Sequence, residues 1–315
     1  MPSAPVTTDE LAAIMRAMLP ESVAVGFSRM GSGEGGGAHL VRFAGGAEPV
    51  VVKVYDVAGG WILAKEVFAY RAMRAHGIEQ IPRLVGGESA ADSPIGRPYL
   101  VMSALPGVAV EEFIPAATDA DVAAIYRRMG GALRSIHGIE QKGFGYRLSR
   151  MQDADRRNDR FMRGVFDRRS QVYLERTGDR ELTEAARQYV ADRAALFALC
   201  TTPVLLHGDF HEGNVIVDDR AGTPVLSGVV DLENALAGDP VVDLARLYSF
   251  NIRGDAVKLD ALFDGYGSVP PDWDARRRLY QLVHDFERWI WHDQEGRGDR
   301  LATIVVDIRG LLAGE

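Results

Sequence analysis

The spacing of apolar residues differs between the first third of the chain and the remainder. Helical spacing of apolar residues predicts helices over 8–18 and 59–76. Short runs rich in Val or Phe, separated by Gly-rich segments, predict strands at 22–30, 38–43, 49–55, 82–85 and 98–102. The first third of the chain is therefore predicted to be a small antiparallel sheet with a helix packed on it.

Helical spacing dominates the remainder of the chain. It predicts helices over 118–137, 181–198, 241–250, 256–266, 271–294 and 299–312, with strand signals between 203 and 232 and exposed helices in the arginine-rich run 147–180. Pro106 and Gly107 follow the last early strand and indicate a turn or hinge. We therefore predict two domains, 1–105 and 106–315.

Charge and composition narrow the class of protein. The chain has 36 Lys and Arg against 44 Asp and Glu, a net charge of −8, which disfavours a general nucleic-acid binder. The balance is −1 over residues 1–105 and −7 over 106–315. The single cysteine, Cys200, excludes an intramolecular disulfide framework and fits a reducing cytosol. With no export signal and no run of about 18 apolar residues, a cytoplasmic enzyme without a membrane span is expected.

The most informative segment is the polar loop 207–214, which lies between the apolar runs 204–206 and 215–217. It carries Asp209 and Asn214, and a later apolar strand delivers Asp231. Carboxylate and amide oxygens on adjacent strand ends suit a magnesium ion. The alternative is a polar turn whose Asp and Asn only satisfy backbone groups.

A second functional interpretation uses the same loop. His207, Asp209 and His211 alternate, so in an extended chain all three would face one way, as in a metal-dependent hydrolase. A hydrolase would need nothing from the first third of the chain, whereas a phosphoryl transferase would need a nucleotide cradle there.

Features of such a cradle are present in the first third. Gly31, Ser32 and Gly33 belong to a Gly-rich segment between the first two strands, where backbone amides could approach phosphates closely. Lys53 interrupts an apolar strand, and Glu66 lies on the apolar face of the next helix, where it could pair with the lysine. A flexible surface loop, a snorkelling lysine and a solvated glutamate are the alternatives.

With these residues in view, the chain from about residue 26 to 247 resembles the aminoglycoside phosphotransferase family, which is also similar to choline kinases and, more distantly, to protein kinases. The resemblance depends on the His-x-Asp-x-x-x-x-Asn loop 207–214 and on segments 133–137, 228–233, 238–240 and 243–245. It implies an α+β, bilobal, protein-kinase-like fold, with a small antiparallel-sheet N-terminal lobe and a larger, mainly helical C-terminal lobe.

The resemblance also implies a role for individual residues. Lys53 would hold the nucleotide phosphates, Glu66 would position Lys53, and Asp209 would be the catalytic base. Magnesium would be bound by Asn214 and Asp231. The adenine would be faced by the backbone of Ser103 and Leu105, behind Met102.

Three departures from protein kinases argue against a protein substrate. Gly208 stands where protein kinases carry arginine, and Asp231 is followed by Leu-Glu. Only seven residues separate Asp231 from Asp239, too few for an activation loop. The Gly-rich segment also lacks strict G-x-G-x-x-G spacing.

The acceptor is predicted from the acidic character of the second part. Carboxylates with aromatic faces suit an amine-bearing ligand, and the predicted contacts are Glu233, Asp285, Glu287 and Trp289. A core position for Trp289 and solvated acids are the alternative.

Together these features predict an ATP- and magnesium-dependent kinase, with GTP left open, acting on a hydroxyl of an aminoglycoside or other basic antibiotic. A kinase of choline, homoserine or an amino sugar, a metal-dependent hydrolase and a non-catalytic nucleotide binder are the alternatives. No nucleic acid or membrane partner is expected. The expected oligomeric state is a monomer or a homodimer.

Overall fold

The computed structural model describes residues 5–30, 37–146, 148, 154–218 and 223–314. Gly31, Ser32 and Gly33, predicted to contact phosphates, lie outside the described residues. The helices are α1 Thr8–Met18, α2 Gly60–Ala75, α3 Val110–Phe113, α4 Asp119–His137, α5 Asn158–Thr177, α6 Arg180–Arg193, α7 Val241–Leu247, α8 Ala256–Tyr266, α9 Trp273–Gln294 and α10 Gly298–Ala313. The strands are β1 Ala24–Met30, β2 Ala38–Phe43, β3 Val50–Val54, β4 Leu84–Glu88, β5 Tyr99–Ser103, β6 Val108–Ala109, β7 Val204–Leu206, β8 Val215–Asp218, β9 Val225–Val229 and β10 Leu236–Gly238.

The chain divides into two compact units. Unit 1 comprises Met1–Pro115 and Gly213–Asn234, and unit 2 comprises Ala116–Glu212 and Ala235–Glu315. This division differs from the predicted boundary after residue 105 because β6 pairs antiparallel with β8. That pairing ties the later hairpin of β8 and β9 to unit 1.

Unit 1 is built on an antiparallel five-stranded sheet with the order β1-β2-β3-β5-β4. Helix α1 begins at a capping box, in which Thr7 and Glu10 satisfy each other's backbone amides. Its apolar residues Leu11, Ile14 and Met15 are buried against the sheet core. Burial of these side chains is the main stabilising contribution of α1.

A smaller sheet with the order β6-β8-β9 completes unit 1. Gly228 in β9 lies close to neighbouring backbone: a Cβ there would meet the Gln80 carbonyl oxygen at 2.7 Å. The amide of Val229 donates to that same carbonyl. Any larger residue at position 228 would therefore disturb the strand that leads to Asp231.

Unit 2 is mainly helical, and its one sheet among the described residues joins β7 and β10 antiparallel. Its core contains edge-to-face aromatic contacts, for example between Phe166, Tyr173 and Phe286. No helix within the described ranges combines the length and apolarity needed to cross a membrane.

The predicted helix 241–250 changes its geometry part of the way along. Helix α7 ends at Leu247 and continues as a π-helix, Tyr248–Ile252, which we call the π-turn. The amide of Arg253 donates to the Tyr248 carbonyl, five residues back, and Arg253 itself has a positive φ of 42°. Such turns insert one extra residue and re-aim the side chains that they carry.

Candidate functional site

Lys53 is the centre of an ionic cluster in unit 1. Its Nζ donates to both carboxylate oxygens of Glu66, at 3.0 and 3.2 Å, to Asp231 Oδ1 at 2.7 Å and to Glu233 Oε2 at 3.3 Å. We call Lys53, Glu66, Asp231 and Glu233 the Lys53 cluster. The structure thus brings together the predicted pair of Lys53 and Glu66, and adds two acids from the segment after β9.

Neighbouring hydroxyl groups hold the acids of this cluster. Glu66 is fully buried and accepts a hydrogen bond from the Tyr55 hydroxyl at 2.6 Å. Asp231 has a left-handed backbone, with φ of 67°, and its amide donates to the Tyr70 hydroxyl at 3.1 Å. A non-glycine residue adopts this conformation at a cost, which the surrounding contacts must offset.

The charge balance of the cluster favours a cation. Burial by itself would lower the pKa of Lys53, but Asp231 and Glu66 raise it well above its ordinary value, so Lys53 stays charged. Lys53 lowers the pKa of Glu233, yet burial and the neighbouring carboxylates outweigh this effect and raise it. Three carboxylates around one ammonium leave negative charge that a divalent ion could balance.

The donor set also fits magnesium. Among the described residues, the acids that could share a metal ion are Glu66, Asp231 and Glu233, with one oxygen of each within 4.8 Å of the others. All are hard oxygen ligands, as magnesium prefers. Asn214 is buried, and its carbonyl accepts the Val230 amide at 3.0 Å, which ties the end of loop 207–214 to the strand before Asp231.

The predicted adenine contacts lie at the end of β5. Met102 is buried, and Ser103 pairs with Val50 of β3. The amide of Ser103 donates to the Arg83 carbonyl, so that amide is used within the sheet. Leu105 is half-buried just beyond the strand. The role of these three predicted residues in holding a base stays a prediction.

The loop that carries Asp209 turns sharply at Gly208, which has φ of 79°. One carboxylate fastens this turn: Asp243 accepts the amides of His207 and Gly208, both at 2.8 Å. Burial would raise the pKa of Asp243, but the hydrogen bond from His137 and its other partners hold it below the ordinary value. Asp243 is therefore an anionic anchor for the loop.

Asp209 is bound by a largely covered arginine, Arg246. Arg246 Nη1 donates to Asp209 Oδ1 at 2.7 Å and also to the Gly208 carbonyl. Its other terminal nitrogen contacts Glu287 Oε2 at 2.9 Å and His284 Nδ1 at 2.7 Å. Arg169 in turn binds Glu287. We call Arg246, Asp209, Glu287, Arg169 and His284 the Arg246 cluster, and all of it belongs to unit 2.

Burial and charge set the ionisation of this cluster. Burial opposes the charge of Arg246, but Asp209 and Glu287 raise its pKa above the ordinary value. Burial acts to raise the pKa of Glu287, but Arg169 and Arg246 outweigh it and hold this pKa well below its usual value. Burial, reinforced by Arg246, lowers the pKa of His284 to about 4, so its imidazole is neutral at pH 7.

The structure contradicts two of the four predicted acceptor contacts, because Asp285 and Trp289 are buried in unit 2. Asp285 is fully buried and bonded to Arg288 at 2.7 Å, and Trp289 packs edge-to-face on Tyr173 in the core. Neither side chain presents a surface to a ligand, because α9 turns this face inward. Glu287 is partly exposed but bonded to two arginines, and Glu233 lies in the Lys53 cluster.

The hydrolase interpretation required three side chains on one side of an extended loop. The turn at Gly208 removes that alternation. His207 is fully buried against the Phe210 ring, and its Nδ1 accepts the Asp209 amide. His211 Nε2 lies 4.0 Å from Asp209 Oδ2. The geometry therefore favours a structural His207 and does not support a shared metal at these three residues.

Sequence reasoning missed Arg246, Arg169 and His284. Arg246 follows Asp243 by three residues, so both lie on one face of α7 and reach the same loop. That spacing was a usable signal. Arg169 and His284 come from distant helices and gave none.

Comparison with known proteins shows the family to which the chain belongs. The model of the phosphotransferase enzyme family matches residues 39–279, and the chain belongs to that family. The predicted resemblance and the predicted α+β, protein-kinase-like fold are confirmed.

A curated protein is similar in sequence to part of this chain. Viomycin phosphotransferase from Streptomyces vinaceus is 33% identical over 171 residues, 53% of this chain and 54% of that protein. The chain thus aligns with about half the length of this curated relative.

Solved structures are similar over nearly the whole chain. The ternary complex of a thermostable mutant of aminoglycoside phosphotransferase APH(4)-Ia with ADP and hygromycin B has a TM-score of 0.73 and 18% identity, covering 98% of each chain. The GDP and kanamycin complex of APH(2")-IIia has a TM-score of 0.71 and 16% identity, covering 98% of this chain and 100% of that one. At these identities the likeness establishes the fold.

Proposed function

We propose that this protein is a magnesium-dependent kinase that transfers the terminal phosphoryl group of ATP to a hydroxyl group of a basic antibiotic in the cytoplasm. The Lys53 cluster carries the proposal, because it sets a charged lysine among three carboxylates on the unit expected to bind the nucleotide. Family membership and the antibiotic phosphotransferases among the similar proteins support the substrate class. GTP remains the alternative donor, since APH(2")-IIia has a complex with GDP.

In this proposal, Lys53 neutralises charge on the nucleotide phosphates, and Glu66 keeps its ammonium in place. Asp231 and Asn214 would hold magnesium, with Glu233 as a further oxygen donor. When bound, the ion would supply positive charge to the phosphates. Phosphoryl transfer has a loose, charge-rich transition state, so positioned charges account for most of the catalysis.

Unit 2 would supply the base. The acceptor oxygen forms a bond to the terminal phosphorus while the bond to the bridging oxygen breaks, and the nucleoside diphosphate leaves. Asp209 accepts the hydroxyl proton or aligns it. Arg246 fixes the orientation of that carboxylate through Oδ1, and Asp243 fixes the loop beneath it.

The test is a nucleotide-consumption assay with ATP or GTP and a panel of viomycin, hygromycin B, kanamycin and choline, with mass spectrometry of each acceptor. We expect one of the antibiotics to gain a single phosphoryl group in a magnesium-dependent reaction. Phosphorylation of choline alone would favour the metabolite kinase. Nucleotide binding without any transfer would favour the non-catalytic binder.

A further inference from the structure

The side chains around Asp209 form a closed ring of contacts within unit 2. Asp209 Oδ1 accepts from Arg246, which contacts His284 Nδ1 at 2.7 Å. The His284 ring meets Phe250 edge-to-face, with centroids 5.4 Å apart. Phe250 in turn contacts the His211 ring at 5.7 Å, and His211 Nε2 lies 4.0 Å from Asp209 Oδ2.

Phe250 is the exposed member of this ring. It has 39% of its surface accessible, whereas His284 and Arg246 are nearly covered. Single exposed apolar residues are common on protein surfaces, and Phe250 differs from them because its ring contacts His211 and His284, the two imidazoles beside Asp209 and Arg246. Aromatic surface beside a few placed polar groups is typical of ligand sites.

Phe250 is held rigidly relative to the catalytic loop. It lies on the π-turn, and the next residue, Asn251, accepts the amide of Glu212 through Oδ1 at 3.1 Å. Lys258 Nζ donates to the Asn251 carbonyl and to Glu212 Oε1, both at 2.9 Å. Glu212 also accepts from the Tyr126 hydroxyl at 2.6 Å. These bonds fix the π-turn and the loop as one body.

The charges near Phe250 indicate what it can bind. The Arg288 guanidinium lies 5.7 Å from the Phe250 ring centre, and Arg246 lies on the other side of His284. Arg288 already makes the cation–π contact with this ring, so a second cation such as an ammonium group is disfavoured there. The favoured partner is therefore the apolar C–H face of a cyclic scaffold, with its amines elsewhere.

Resting on the proposed function, we propose that Phe250 is a specificity-determining residue that packs on the acceptor ring bearing the reacting hydroxyl. A hydroxyl within hydrogen-bond reach of Asp209 brings the rest of its ring against Phe250, the exposed member of the contact ring, and against the half-buried His211. Phe250 then orients that ring, and His211 lies at its edge. This contact occupies the place that Trp289 was predicted to fill.

The test compares steady-state constants of Phe250→Ala, Phe250→Tyr and a matched control, Trp291→Ala, with the acceptor from the panel that the wild-type protein phosphorylates. Trp291 is another exposed aromatic of unit 2, 47% accessible, and its contacts are with His292 and Arg297. Phe250→Ala should raise the acceptor KM about tenfold, with the nucleotide KM changed by less than about twofold. Phe250→Tyr should restore the acceptor KM, and Trp291→Ala should match the wild type.

Phe250→Trp gives a second readout, independent of turnover. Its emission, after subtraction of the wild-type signal, should change when the acceptor is added without nucleotide. An unchanged acceptor KM in Phe250→Ala would overturn the role of Phe250 but leave the proposed function standing. If Phe250→Ala does not fold, an unchanged emission of Phe250→Trp on addition of the acceptor would do the same. A wild-type protein that phosphorylates no member of the panel would instead overturn the proposed function, and this inference with it.

Discussion

Lys53 and Arg246 are both largely covered cations surrounded by carboxylates, but their surroundings differ in net charge. Lys53 contacts three acids, Glu66, Asp231 and Glu233, so the Lys53 cluster keeps excess negative charge. In the Arg246 cluster, two arginines face two carboxylates and His284 is neutral, so the charges balance. Buried charges that are paired can stay buried, whereas unbalanced ones favour binding of a further ion.

This difference separates the tasks of the two clusters. The Lys53 cluster is suited to receive magnesium and phosphates, because a cation relieves its internal repulsion. The Arg246 cluster has no such deficit, and its bonds fix one carboxylate, Asp209, in a single orientation. We infer that the Lys53 cluster binds magnesium and phosphates, whereas the Arg246 cluster positions Asp209.

The largest expected effect is that of Asp209→Asn. Removing the base should lower kcat on the order of 10²–10⁴-fold while the nucleotide KM stays within a few-fold, since the base acts on the acceptor. Asp260→Asn, at an exposed position on α8, is the matched control. Turnover near the wild-type rate in Asp209→Asn would remove the base assignment from the Arg246 cluster.

Lys53→Ala should come next. Loss of the positive charge that faces the phosphates should lower kcat/KM for the nucleotide about 10²-fold. In the wild-type protein, a magnesium chelator should abolish activity. Lys142→Ala, at an exposed lysine, should be silent. If Lys53→Ala kept full activity and zinc restored the chelated protein, the hydrolase interpretation would replace the kinase.

Glu287→Gln distinguishes positioning from acceptor binding. A Glu287 that only balances Arg246 and Arg169 should give a drop of about tenfold in kcat, with little change in acceptor KM. A Glu287 that binds a cationic acceptor should instead raise that KM. Such a KM should also rise with salt, because exposed attraction is screened over about 10 Å at 0.1 M. Measuring both constants against ionic strength, with Glu233→Gln in parallel, decides between the two roles.

The smallest expected effect is on stability against pH, and it concerns two neighbours on α9. The pKa of His284 is lowered to about 4, chiefly by burial, from an unfolded value of 6.5. Between pH 6.5 and 4 the unfolded state therefore binds a proton that the folded state does not bind. The contribution of His284 to the free energy of unfolding falls as the pH falls through that range. Burial raises the pKa of Asp285 from 3.8 to about 6, although Arg288 acts to lower it. The contribution of Asp285 to the free energy of unfolding therefore rises as the pH falls from 6 to 4.

These two contributions to the pH dependence of the free energy of unfolding oppose each other. When one group is removed, the contribution of the other should dominate that dependence. His284→Gln should flatten the loss of the free energy of unfolding between pH 6.5 and 4, and Asp285→Asn should steepen it. Each change should amount to roughly 1 kcal/mol per pH unit. Denaturant unfolding of both variants and the wild type at several pH values measures this. Parallel curves for all three proteins would show that neither group titrates differently in the folded state.

Local patterns in the sequence determined a large part of this protein. Helix α1 was predicted with its observed bounds, because the apolar spacing from Leu11 onward is a local signal, and the structure adds a capping box at Thr7. The pairing of Lys53 with Glu66 was also predictable, since a lysine in an apolar strand needs an anion and the next helix carries one on its apolar face. Loop 207–214 was recognisable from the type and spacing of its residues.

Tertiary structure alone decided the rest. Periodicity placed Asp285 and Trp289 on α9 but not on its covered side, because burial depends on which other helices pack there. Arg246 and His284 meet at Asp209 although 37 and 75 residues separate them from it in the sequence. The π-turn that presents Phe250 leaves no mark in the apolar spacing of α7. Side-chain type and spacing encode local structure, whereas the charge balance of a buried site depends on elements that only folding brings together.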